Sequence, residues 1–249
     1  MKKEDGLNLQ NKADEIRKDV IKVAVKNHAG HIAPSLSCVD ILIALYYKVM
    51  KPEDHFILSK SHGCYGLYSI LSDKGLISKE DWENFNLSGC AERILGQDGE
   101  PIIEAGCGSL GHGLPIAVGM AWGLKLQGKE GRVYCLMGDG ETQEGSTWEA
   151  IQFASHHELT NLTVIIDHNG LQAMEGTDRV IDHKYYNMEN FQSCNGHDFE
   201  AMFKLFNLRK NHSPNYLSFC TVKGKGLKCS EGIAKFHYRC PSEEELKLQ

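Results

Sequence analysis

Two oxygen-bearing side chains, each at the end of an apolar run, are the first residues here that could do chemistry. Asp139 lies in Gly138-Asp139-Gly140 after the run Arg132–Met137, and Asn169 lies in Asp167-His168-Asn169-Gly170 after Leu162–Ile166. A hard carboxylate, a neutral amide oxygen and a backbone carbonyl from the loop after Asn169 make a partial oxygen shell. Such a shell suits Mg²⁺ or Ca²⁺ and lacks the soft donors zinc prefers. It is too sparse to hold Mg²⁺ unaided, so phosphate and water would complete the octahedron. Gly138 and Gly140 keep side chains away from the ion, and a helix opening near Ser146 adds N–H groups toward an anion. The arrangement asks for a metal-bridged diphosphate. A strand-end Asp capping the next helix, with Asn169 in an ordinary turn, accounts for the same residues equally well.

Other chemistry-bearing patterns are weaker. Gly106-Cys107-Gly108-Ser109-Leu110-Gly111 matches G-x-G-x-x-G, but Glu100–Glu104 before it is a short, interrupted run. The acid at the right distance, Glu130, precedes a strand instead of ending one, which argues against a dinucleotide site. His31, His62, His112 and His237 sit beside small residues or in loops, and their spacing alone does not make a metal site. The nine cysteines include no C-x-x-C pair, so they read as reduced thiols.

The elements that must position Asp139 and Asn169 form a strand–helix–strand unit. Arg132–Met137 and Leu162–Ile166 read as strands, joined by a helix through His157 whose start carries Ser146 and Glu149 as a capping box. A crossover of that length makes the strands parallel, so both carboxyl ends share one sheet edge, where open α/β sheets bind ligands. Residues 12–27 place Ile16, Val20, Val23 and Ala24 on one helical face. A polar turn over His28–Ser37 precedes a second helix with Val39, Leu42, Ile43 and Tyr46. Phe56-Ile57-Leu58 reads as a buried strand, and 109–127 as a helix dotted with small residues. Residues 1–11 read as a mobile leader, and 12–249 as one domain.

Composition sets the class. The 249 residues are 41% hydrophobic and 24% charged, ordinary for a globular chain. Net charge is −6, from 27 basic and 33 acidic residues, which argues against a nucleic-acid partner. No apolar run approaches the roughly 18 residues of a membrane helix. The polar N-terminus shows no export signal, so the expected location is cytoplasmic.

Five segments in order, His28-Ala29-Gly30-His31…Ser35-Leu36-Ser37, Phe56–His62, Gly108–Gly113, Gly138-Asp139-Gly140-Glu141…Glu144-Gly145 and Asp167…Asn169, resemble the diphosphate-binding half of transketolase. Gly-Asp-Gly followed by 28 residues and Asn fits the thiamine diphosphate motif, and the resemblance runs from about residue 12 to 247. It implies an α/β thiamine diphosphate-binding fold with a parallel central sheet and helices on both faces. By the same similarity, Asp139, Asn169 and the Leu171 carbonyl would hold Mg²⁺ (or Ca²⁺ or Mn²⁺). His62, Gly138, Gly140, Glu141 and Asn169 would line the diphosphate side, and Gly108, Ser109 and Leu110 the aminopyrimidine side. His31 and His237 would face the sugar, and Glu144 would join a network between two active sites.

The implied reaction transfers a two-carbon ketol unit from a ketose or ketose phosphate to an aldose or aldose phosphate. The glutamate that the family uses on the aminopyrimidine belongs to a pyrimidine-binding domain for which this chain has no room. The resemblance is therefore to a separately encoded N-terminal subunit, working with a C-terminal partner in an α₂β₂ assembly. Three alternatives stand beside it: part of a 1-deoxyxylulose-phosphate synthase-like enzyme, part of a 2-oxoacid-using enzyme, and a non-catalytic assembly or regulatory paralogue. Gln97–Glu100 lacks the family's His-Pro, His237 is followed by Tyr238 instead of Gly, and no strand is visible in 185–196 before Gly196-His197-Asp198.

Overall fold

The computed structural model describes residues 3–84, 87, 89–181, 191–208 and 210–247. A five-stranded parallel sheet has the order β1-β4-β5-β7-β6, built from β1 (His55–Leu58), β4 (Val133–Gly138), β5 (Leu162–His168), β6 (Gln192–Asn195) and β7 (Asn215–Cys220). A small antiparallel pair, β2 (Ile94–Leu95) and β3 (Pro101–Ile103), stands apart.

The central strands are buried on both faces, as parallel strands must be when crossover helices cover each side. Along β4, Tyr134 and Leu136 join one apolar core while Val133, Cys135 and Met137 join the other. This period-two split divides the helices. The first core receives α1 (Lys3–Lys26), the short α2 (Ile32–Ser37) and α3 (Val39–Ala44), α4 (Cys64–Asp73) and Trp82 of α5 (Lys79–Glu83). The second receives α6 (Gly113–Leu126) and α7 (Gly145–His156). The short α8 (Thr177–Val180) follows β5, α9 (Phe199–Phe206) packs into the first core, and α10 (Glu243–Leu246) lies near the C-terminus.

Several expectations need correction. The helix of residues 12–27 begins earlier, at Lys3, with Leu9 buried, so Lys3–Asn11 continues α1. The polar turn is shorter than His28–Ser37: Ile32–Ser37 is a buried helix, its serines bonded to backbone carbonyls one turn back. The helix expected from 109 starts at Gly113, because Gly108–Gly111 holds an open loop. No Ser146–Glu149 capping box forms: Glu144 is the N-cap residue of α7, and the Ser146 hydroxyl donates to the Gly111 carbonyl at 2.9 Å. A strand does precede Gly196. It is β6, whose sequence Gln-Ser-Cys-Asn is too polar to show apolar alternation and is specified by pairing with β7. The remainder of that stretch, 185–190, lies outside the described residues.

Candidate active site

Parallel pairing places Gly138 opposite Asp167, so the segments after β4 and β5 leave the sheet side by side. Asp139 is 3% exposed and its two oxygens accept the Gly140 N–H at 2.8 Å and the Gly170 N–H at 2.6 Å. Gly170 has φ +74°, a conformation that costs a side-chain-bearing residue energy, and the turn it makes aims its amide at Asp139. Burial and the neighbouring Asp167 carboxylate push the Asp139 pKa up, against the two amides. A carboxylate placed so gains by having a cation beside it. The Asn169 Oδ1 accepts the Leu171 N–H at 3.2 Å. Gly140 lies against Gln172, whose Cγ would stand 3.0 Å from an added Cβ.

The floor of the site also contains an ion pair that the sequence reading did not single out. Lys60 and Asp167 are 1% and 0% exposed and in direct contact. Lys60 also donates to the Pro34 carbonyl at 3.0 Å, while Asp167 accepts the hydroxyls of Ser37, at 2.6 Å, and of Thr221. Burial works against the charged carboxylate, yet Lys60 and these donors hold the Asp167 pKa below its usual value.

Three expected histidines come together. His31, His62 and His237, from three distant segments, have ring centroids 5.1 to 5.4 Å apart. His31 adopts the left-handed conformation, φ 57°, at the entry to α2. Burial first, then the charge of Lys223, lowers the His31 pKa and takes that of His237 down to about 3. Burial, then Lys60, takes His62 well below its usual value. All three are neutral at pH 7, able to donate and accept hydrogen bonds from hydroxyls without carrying charge.

Lys223, 2% exposed, is a further residue the sequence reading missed. Its ammonium donates to the carbonyls of Leu171 at 2.9 Å and Gln172 at 3.3 Å, and to His237 Nδ1 at 2.7 Å. An ammonium has no lone pair, so His237 Nδ1 accepts and Nε2 carries the proton. Burial, then Lys60, lowers the Lys223 pKa to about 8, leaving it charged at pH 7. Its signal was Thr221-Val222-Lys223-Gly224-Lys225-Gly226, where Gly224 and Gly226 take positive φ. Tyr238, in the place expected for Gly, sets its ring 4.8 Å from His31.

The remaining expected residues divide. Gly108, Ser109 and Leu110 form an exposed loop, with Leu110 37% open to solvent. Glu141 turns inward: its carboxylate accepts the Ser59 hydroxyl, the Gly111 N–H at 2.8 Å and the Gly138 N–H at 3.2 Å, so it shapes the loop. Glu144 is exposed and packs against Gly111, where a Cβ would approach its own Cβ to 2.7 Å. Among the described residues, no group of three or more His, Cys, Asp and Glu side chains could hold a metal alone. One carboxylate, one amide oxygen and one carbonyl, with an ammonium and neutral imidazoles nearby, instead fit a divalent ion that arrives with an anionic ligand.

Known proteins resemble this chain over most of its length. A family profile described as 1-deoxy-D-xylulose-5-phosphate synthase matches residues 1–180. An apulose-4-phosphate transketolase subunit of Phocaeicola vulgatus is 35% identical over 96% of this chain and 91% of its own length. The 6-deoxy-6-sulfo-D-fructose transketolase subunit SqwG of a Clostridium strain is 32% identical over 98% of this chain and 95% of its own. The crystal structure of Campylobacter jejuni transketolase superposes with a TM-score of 0.83 at 28% identity, covering 96% of this chain. Against that solved transketolase, the chain spans 41% of the length. With two single-subunit relatives matched almost end to end and the fold shared with a whole enzyme, this chain belongs to the transketolase family.

Proposed function

We propose that this chain is the N-terminal, Mg-thiamine diphosphate-binding subunit of a two-subunit transketolase, in which α1 and the residues after it form one cofactor-binding domain. The observation that carries the reading is Asp139, pinned by the Gly140 and Gly170 amides where two parallel strands end, with Lys223 on the Leu171 carbonyl. Asp139, Asn169 Oδ1 and the Leu171 carbonyl would hold the divalent ion. Lys223 would balance the diphosphate's negative charge, and neutral His62 would offer it a hydrogen bond. When bound, thiamine diphosphate supplies the carbon nucleophile that accepts the two-carbon unit. The chain's own residues bind and orient. Gly108, Ser109 and Leu110 offer backbone groups to the aminopyrimidine, and neutral His31 and His237 exchange hydrogen bonds with sugar hydroxyls. Glu144, exposed beside Gly111, would meet the partner.

The partner would be a C-terminal, pyrimidine-binding subunit in an α₂β₂ assembly, and the substrates sugars or sugar phosphates. None of the described helices is long and apolar enough to cross a membrane, and the proposed location is cytoplasmic. Native mass spectrometry of the tagged chain, purified gently from its own cells, tests the reading. A stoichiometric second subunit with thiamine diphosphate and Mg²⁺ supports it, and a partner without cofactor would leave an assembly role. Incubating the complex with ketose phosphates, or with a 2-oxoacid, then separates ketol transfer from synthase-type chemistry, in which CO₂ is released.

A further inference from the structure

We propose that His197 is a positioning residue for the cofactor floor, holding the turn that carries Thr221 and Lys223 through the backbone amide of Val222. For its functional consequence this rests on the cofactor reading given above. The chain of contacts begins in the first core. Arg17 of α1 and Asp40 of α3, 3% and 0% exposed, form an ion pair. The same Asp40 Oδ2 lies 2.5 Å from His197 Nδ1, and the Val222 N–H donates to His197 Nε2 at 2.9 Å. Only an unprotonated ring nitrogen can accept, so Nδ1 carries the proton and donates to Asp40. One tautomer satisfies both contacts, and Asp40 fixes it, much as a carboxylate orients a metal-bound histidine.

On either side of Val222 the turn is fastened to the site. The Thr221 N–H donates to the His168 carbonyl at 3.0 Å, and its hydroxyl to Asp167. Lys223 reaches Leu171, Gln172 and His237, and the Gly224 N–H donates to the Ala33 carbonyl at 3.1 Å. The Val222 side chain is 40% exposed, so packing does little to place this residue and its amide bond to the imidazole does more. The network is also costly. Asp40 Oδ1 and Arg17 Nε are buried without a hydrogen-bond partner among the described residues. Buried ion pairs are poor sources of net stability, and unmet polar atoms make this one poorer. Its return is geometry: it aims the imidazole at a backbone amide one residue from the ammonium at the floor.

The test uses the full chain with two readouts. Hydrogen exchange of the Val222 amide needs no cofactor, and titration calorimetry with thiamine diphosphate and MgCl₂, partner subunit present, reads the floor. In His197→Phe, Val222 exchange accelerates tenfold or more and cofactor affinity falls about tenfold. His197→Gln, whose amide oxygen can accept from Val222, recovers most of both. In Lys223→Met, adding His197→Phe costs no further affinity, because the two act in series. Unchanged Val222 exchange in His197→Phe, or additive losses in the double variant, would overturn the assignment. A wild-type complex that takes up no thiamine diphosphate sinks the cofactor reading alone, and Val222 exchange then decides the role of His197. If His197→Phe does not fold, His197→Gln set against His197→Met carries the same comparison.

Discussion

The floor and the outer wall of this site are built on opposite terms. The floor is charged, buried and closed on itself: Asp139, Lys60, Asp167 and Lys223 are each no more than 3% exposed and bonded to elements from four parts of the chain. The wall, Gly108–Leu110, is exposed, fastened mainly through Glu141 beneath it and an imidazole contact from His112 to the Leu110 carbonyl at 3.0 Å. A buried ionic floor must be complete before anything binds, because an unpaired charge there costs several kcal/mol. A wall of exposed backbone and one open leucine is what a second protein can finish. On the proposed function, the difference divides the labour between subunits: this chain would preform the anion and metal side, and the partner would complete the other.

The sharpest way to break the comparison is to strand a charge in the floor. Lys60→Ala leaves Asp167 unpaired at 0% exposure and is expected to cost about 3–5 kcal/mol in urea unfolding. A loss under 1 kcal/mol would mean that the floor is not preformed. Next in size is Asp139→Ala, which removes the one carboxylate of the donor set. It should weaken Mg²⁺-dependent thiamine diphosphate binding about 100-fold or more by calorimetry, since even residues orienting a metal ligand are worth 10–100-fold. Undiminished affinity would refute the metal assignment.

Much of the floor was legible because it is local in sequence. Gly138-Asp139-Gly140 and Asn169 follow apolar runs whose parallel pairing comes from the crossover length alone, and the register bears that out. What stayed hidden depends on contacts between distant residues. Lys60 and Lys223 look like solvated lysines until the fold sets one on Asp167 and the other on Leu171. The three histidines showed no spacing to link them, since 31, 62 and 237 meet only through tertiary packing. Ser146 and Glu149 matched a capping box by spacing, but the Gly111 carbonyl took the hydroxyl and Glu144 became the N-cap residue. Strand β6 has no apolar alternation and owes its existence to β7. Local patterns were readable where the backbone alone decides, and unreadable where burial of a polar group does.

Changes at the wall should be smaller and of another kind. Leu110→Ala removes an exposed side chain, so stability of the chain alone should stay within about 0.5 kcal/mol. Affinity for the partner should fall about fivefold, the scale of about 1 kcal/mol for a modest interface contact. Measuring both by unfolding and by interferometry separates wall from floor. A stability loss without a binding loss would make the loop part of the preformed site.

The smallest expected effect lies between the two regions, in the histidine cluster. His237 binds its proton only near pH 3 when folded and near its ordinary 6.5 when unfolded. Between those values the unfolded chain takes up a proton that the native chain refuses. Stability therefore rises with pH through that window, and is lost as pH falls from about 6.5. Carboxylates titrate over the lower part of the same range, so the wild-type slope alone does not isolate the imidazole. Set against His237→Gln, which keeps an acceptor for Lys223 and removes the titration, the wild-type curve should be steeper between pH 6.5 and 5. His62 and His31, lowered for the same reason, should add to the slope in the same direction. Parallel curves for the two proteins would mean that His237 is open enough to protonate in the folded chain, and would move it from the floor's closed environment to the wall's open one.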